Sequence, residues 1–126
     1  MTHIRFTSTT FDTKADGSDQ SSAGLDVAEW VLRLVHLEKG RAFEEYWGWA
    51  VYGRFEGHRV VIGIYDHHVT DTTPRWVLRV FDDSFAWNPL TWLFSREHEA
   101  PPELRCRLLE ILKTAPEVSS LEEVED

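Results

Sequence analysis

Apolar and polar positions change rhythm several times along this chain, and each change marks an element. Residues 3–12 (HIRFTSTTFD) are rich in Thr and Phe and alternate loosely, the pattern of a strand. Residues 13–24 (TKADGSDQSSAG) lack large apolar groups and read as a flexible connector. From 25 to 39 (LDVAEWVLRLVHLEK) the spacing predicts a helix, with Gly40 placed to stop it. On a 3.6-residue wheel Asp26, Glu29, Arg33 and His36 form a narrow polar stripe, and apolar residues fill most of the rest. A surface helix usually shows an apolar arc of about 100° or somewhat more. This arc is much wider, so it needs cover on more than one side, from a sheet plus either a second helix or a partner chain.

Three strand-like runs follow, at 46–55 (YWGWAVYGRF), 59–66 (RVVIGIYD) and 75–82 (RWVLRVFD). Glu56-Gly57-His58 joins the first two as a short hairpin connection. With Phe55 opposite His58, one face collects Trp49, Val51 and Gly53 with Val60, Ile62 and Ile64, and the third run adds Trp76, Leu78 and Val80. A slip of one residue would expose all of them. After an aromatic stretch at 83–95, residues 103–115 (ELRCRLLEILKTA) predict a second helix buried along Leu104, Leu108, Ile111, Leu112 and Ala115. Cys106 falls on its polar side. The expected architecture is α+β, a single domain over residues 1–116. It has a three- to four-stranded antiparallel sheet and two main helices packed on one face, in the order β-α-β-β-β-α. Residues 117–126 are expected to form an acidic, weakly ordered tail.

Charge narrows the partners. The 126 residues carry 13 Lys+Arg and 22 Asp+Glu, a formal charge of −9. Glu117, Glu122, Glu123, Glu125 and Asp126 lie in the final ten positions, with no base among them. An acidic chain is a poor binder of duplex nucleic acid, which needs clustered phosphate-neutralising charge. A single cysteine excludes an internal disulfide and any multi-cysteine metal site. No apolar run approaches the ~18 residues of a membrane span, and the first residues lack the apolar region of a signal peptide. The expectation is a cytoplasmic protein. Phosphate-loop, dinucleotide, nucleophile-elbow and zincin motifs are all missing, so no cofactor is expected.

Chemistry-bearing residues gather in four places. The sheet face opposite the apolar one should carry Tyr52 and Arg54, then Arg59 and Tyr65, then Arg75 and Arg79. Arg54 directly opposite Arg59 would destabilise the sheet unless an anion relieves the pair, from Glu44, Glu45, the acidic tail or a partner. Arg and Tyr together on a flat surface are also common in binding hot spots. The alternative for this face is an ordinary solvated one. The second place is Asp66-His67-His68 at a strand end, offering carboxylate and imidazole to a metal or to acid–base chemistry. Adjacent strand side chains point to opposite faces, however, and the pattern favours solvated loop histidines over a metal site. The third is the aromatic segment with Trp87, Trp92 and Phe94, either a plug for the core or an exposed anchor. The fourth, Cys106, has no histidine at helical spacing to act as a base.

These features point to a small non-enzymatic binding protein of the inhibitor, immunity or adaptor kind. It would dock on a protein partner through the Arg/Tyr face and the aromatic segment, with nucleic acid and membrane disfavoured. The competing reading is a small-molecule or metal-dependent site built on Asp66, His67 and His68. A homodimer through the wide first helix is compatible with both.

Overall fold

In the computed structural model the described residues are 2–8, 24–45, 48–66, 75–82 and 102–125. They form β1 (Thr2–Thr7), α1 (Leu25–Val35), β2 (Glu38–Glu45), β3 (Gly48–Phe55), β4 (His58–Asp66), β5 (Arg75–Asp82), α2 (Pro102–Thr114) and β6 (Ser119–Glu125). The strands make one six-stranded sheet in the order β2-β3-β4-β5-β1-β6, and every neighbouring pair is antiparallel. β2 to β5 run as a meander, and β1 then inserts between β5 and β6.

The α+β class holds, but the expected three- to four-stranded sheet does not: there are six strands, two of them absent from the sequence reading. The first is β2. Its sequence, EKGRAFEE, contains no Val, Ile or Thr, and its residues are mostly exposed. It is an edge strand, held by the ladder to β3 instead of by burial. The second is β6, which lies within the stretch read as a weakly ordered tail and pairs with β1. Thr7 Oγ1 also donates a hydrogen bond of 3.0 Å to the Ser119 carbonyl, and Leu121 packs on the core. Helix α1 ends at Val35, four residues before the predicted end, because His36 adopts a left-handed conformation (φ 55°, ψ 52°). Leu37, read as helical, instead packs its side chain over Gly53 of β3, where a Cβ would stand 2.6 Å from that of Leu37.

The register of the central strands follows the predicted one. A two-residue turn joins β3 to β4 with Phe55 opposite His58, and both turn residues have positive φ (Glu56 50°, Gly57 83°). That is the twist-matched hairpin geometry, with glycine at the second position. From this pair Val51 faces Ile62, Trp49 faces Ile64, and Ile64 faces Leu78. Ile4 and Phe6 of β1 continue the same face, opposite Leu78 and Trp76. Both helices cover it: Val27, Ala28, Trp30, Val31 and Val35 of α1 join Leu104, Leu108 and Leu112 of α2 in one buried cluster with these strand residues. The wide apolar arc of α1 is thus shared between the sheet and α2, with Leu32 and Leu34 half-buried at its sides. Leu25, at the helix start, stays 45% exposed.

The ordered β6 has a measurable consequence. Deleting residues 116–126 removes a full ladder, at about 1 kcal/mol per net backbone hydrogen bond, and the half-buried Leu121. The expected loss is about 3 kcal/mol or more, a large part of the ~5–15 kcal/mol typical of a domain. Urea unfolding of the full and shortened chains would show it; an unchanged midpoint would mean that this segment adds nothing to the fold.

Candidate functional site

The face turned away from the helices is set by the same register. β3 presents Ala50, Tyr52 and Arg54 there, β4 presents Arg59, Val61, Gly63 and Tyr65, and β5 presents Arg75, Val77 and Arg79. β1 adds His3, Arg5 and Thr7, and β2 adds Arg41, Phe43 and Glu45. All six sheet residues singled out from sequence, Tyr52, Arg54, Arg59, Tyr65, Arg75 and Arg79, therefore share one face. They do not share one environment.

The middle of this face is dry: Ala50 is 0% exposed, and Val61 and Val77 are each 2% exposed. Tyr65 and Arg79 stand half-buried beside it as a diagonal cross-strand pair, since Arg79 lies opposite Gly63, two residues from Tyr65. Arg79 Nε donates to the Tyr65 hydroxyl at 3.0 Å, and the guanidinium carbon lies 5.9 Å from the ring centroid. This geometry combines a hydrogen bond with cation–π attraction. Next to it Arg5 Nε donates to His3 Nε2 at 3.1 Å, and Arg5 Nη1 lies 4.0 Å from Glu122 Oε1. Arg5, Arg75 and Glu122 also line a shallow cleft of about 280 Å³ with Thr7 and Ser120, where the carboxylate offsets part of the positive charge.

Towards the β2 edge the face is wet. Arg54 and Arg59 are cross-strand neighbours, both exposed, as like charges on opposed positions. Glu38 lies opposite Arg54 on its other side, yet Arg54 forms no ion pair among the described residues. Tyr52 is half-buried and donates its hydroxyl to Glu45 Oε1 at 3.1 Å. Phe43 meets Tyr52 edge-on, with centroids 5.6 Å apart and planes at 72°, and is still 48% exposed. With the exposed Arg41 opposite Tyr52, the patch brings three arginines, a tyrosine and a phenylalanine together with Glu38 and Glu45. The acidic C-terminal segment does not cover it: β6 occupies the far edge of the sheet, where Glu123 pairs with Arg105 of α2 at 3.0 Å.

Arg41 and Phe43 were missed from sequence because β2 was not recognised as a strand, and without a strand no face can be assigned. The signal available was one aromatic within a charged octet, EKGRAFEE.

Trp87, Trp92 and Phe94 lie outside the described residues, as do His67 and His68, so Asp66 alone of the histidine–aspartate motif can be placed, half-buried at the end of β4. Among the described residues no three His, Cys, Asp or Glu side chains are grouped to hold a metal ion. Cys106 is exposed on α2. Nor, among the described residues, is any helix long and apolar enough to cross a membrane. No protein-family model, curated protein or solved structure matches the chain.

The two halves of the face should respond differently to mutation. Tyr65→Phe leaves Arg79 without its hydroxyl acceptor and should cost about 1 kcal/mol, whereas Arg54→Gln relieves a like-charge pair and should leave stability within a few tenths or raise it. Urea midpoints of the two variants check this contrast; a larger loss in Arg54→Gln than in Tyr65→Phe would reverse the assignment.

Proposed function

We propose that this chain is a non-enzymatic binding protein that docks on an acidic surface of a protein partner through the β2–β4 end of its outer sheet face. The observation that carries the reading is the opposition of Arg54 and Arg59, both exposed, on neighbouring strands. Such a pairing lowers sheet stability, and a partner carboxylate beside the Arg54 guanidinium would offset that cost. Bidentate Arg–carboxylate bonds are also directional, so they fix register as well as adding attraction. Tyr52 and Phe43 beside them supply aromatic contact area of the kind enriched at interface centres.

A protein fits this patch better than nucleic acid does. The arginines are interleaved with Glu38 and Glu45, and the chain as a whole carries −9. A phosphate backbone needs a continuous basic track, while a few matched carboxylates need only this local cluster. Trp87, Trp92 and Phe94 remain part of the proposed docking set as apolar anchors, and Tyr65, Arg75 and Arg79 as its half-buried flank.

The test is affinity capture from an extract of the source cells with wild-type chain and with an Arg54→Glu/Arg59→Glu variant as baits. A protein retained by the first and lost from the second would then be purified and titrated by calorimetry. Binding should weaken with rising salt and by at least about tenfold on charge reversal, with the circular dichroism spectrum unchanged. A partner that binds both baits with equal affinity overturns the reading.

A further inference from the structure

Strand β6 is held to the sheet by modest apolar burial and by one ionic clasp on each face. Ser119, Ser120, Glu122 and Glu123 are exposed, while Leu121 and Val124 are half-buried. On the outer face Arg5 Nη1 lies 4.0 Å from Glu122 Oε1, and on the helix face Arg105 Nε lies 3.0 Å from Glu123 Oε2. Such partly exposed pairs add little to stability. The ladder to β1 is itself interrupted. Arg5 faces Glu122 and Thr7 faces Ser119, so two steps along β1 span three along β6. The extra residue makes a bulge, and Ser120 within it takes a positive φ of 48°, uncommon for a residue with a Cβ. A cleft of about 280 Å³ opens there, lined by Ser120, Leu121 and Glu122 with Arg5, Phe6 and Thr7 of β1. Residues 115–118 join β6 to α2, in a turn closed by one hydrogen bond of 3.2 Å from the Val118 amide to the Ala115 carbonyl.

We infer that β6 is an exchangeable strand: in a symmetric dimer, each of two copies lends its β6 to the β1 edge of the other. This inference rests on β6 and its connection, not on the docking role of Arg54 and Arg59. Among the described residues β6 pairs with β1 alone. It can therefore open as a unit while β1 to β5 and both helices keep their shared core. A strand filling the vacated edge must satisfy β1 and α2 together. It needs a carboxylate opposite Arg5 on the outer face and a second one opposite Ile4, within reach of Arg105. It also needs an apolar side chain where Leu121 packs, and one extra residue between the positions facing Arg5 and Thr7. β6 of a second copy carries all four features in the right order.

Exchange remakes between chains the contacts that the closed chain makes within itself. Arg5 meets Glu122 of the partner subunit, and Arg105 meets Glu123 of the partner subunit. The dimer thus needs no surface beyond the one β6 already occupies. Only the turn at 115–118 changes, losing its single hydrogen bond. Four extended residues reach about 13 Å, more than two interstrand spacings of about 4.8 Å, so the connection can carry β6 clear of its own β1. Because the bonds are the same in both forms, swapping is a low-cost route to a dimer, and the exchanged fraction rises with protein concentration.

Thiol trapping on the full chain tests the exchange. Two chains both carry Cys106→Ser, one with Thr7→Cys and the other with Ser119→Cys. Thr7 and Ser119 face each other across the ladder, so neither chain can close that bridge alone, whereas an exchanged pair brings the two thiols together. The chains are mixed at the highest soluble concentration with oxidised glutathione. The unlike-chain disulfide should form at least about tenfold faster than the one between the Thr7→Cys chain and wild type, whose exposed thiol lies on α2. Deleting Pro116 and Glu117 leaves a connection too short to turn back onto the same β1. Light scattering should then give close to twice the 14.7 kDa of one chain. Arg54→Glu/Arg59→Glu should exchange as fast as wild type, separating this result from the partner-binding test. Trapping no faster than the control overturns the inference, as does a shortened chain that stays monomeric with a native circular dichroism spectrum. If the shortened chain does not fold, the trapping rates decide alone.

Discussion

The turn at Glu56-Gly57 fixes which side chains of this sheet face the helices. Two consecutive residues with positive φ give the hairpin a twist that matches its strands, and they place Phe55 opposite His58. Every later pairing of β3 with β4 inherits that choice, and β5 inherits it through β4. Because side chains alternate with a period of two, a displacement of a single residue would turn Val60, Ile62 and Ile64 from the helix layer to the opposite face. The cost would be the packing of these side chains against the helices, together with overcrowding where Val61 and Gly63 now fit, so the register has no close competitor.

With the register set, the outer face divides into two electrostatic regimes. Arg79 lies where Ala50, Val61 and Val77 have already excluded water, and it is accommodated because the Tyr65 hydroxyl and ring receive it. A buried or half-buried cation needs such partners. Arg54 and Arg59 lie where solvent reaches them, so water and salt screen their mutual repulsion. The proposed docking draws on the second regime, where exposed guanidinium groups are accessible to a partner.

How much of this was legible in the sequence depended on how many sides of each strand are buried. β3, β4 and β5 are interior strands, and their Val, Ile and Trp positions alternate clearly enough to give both the elements and the pairing. β2 and β6 are edges, and their sequences, EKGRAFEE and SSLEEVE, lack the apolar alternation that a strand buried along one face requires. Their strand conformation comes from a neighbour's backbone, which no local pattern records. Helix α1 was overextended for a related reason: Leu37 suits a helical apolar stripe and suits equally well the space above Gly53. The arginine side of the site was therefore readable through β3 to β5, while Arg41 and Phe43 were hidden with the strand that carries them.

The insertion of β1 between β5 and β6 has a kinetic consequence. The contact between Thr7 and Ser119 joins positions 112 residues apart, whereas β2 to β5 can zip through short connections. Closing a loop of that length is entropically slow, and chains dominated by such distant pairings fold late and gradually. During synthesis the meander can assemble while the opening segment, with Ile4 and Phe6, still lacks its second flank. That flank is made after the other five strands, so the nascent chain carries an incomplete sheet until β6 has been synthesised.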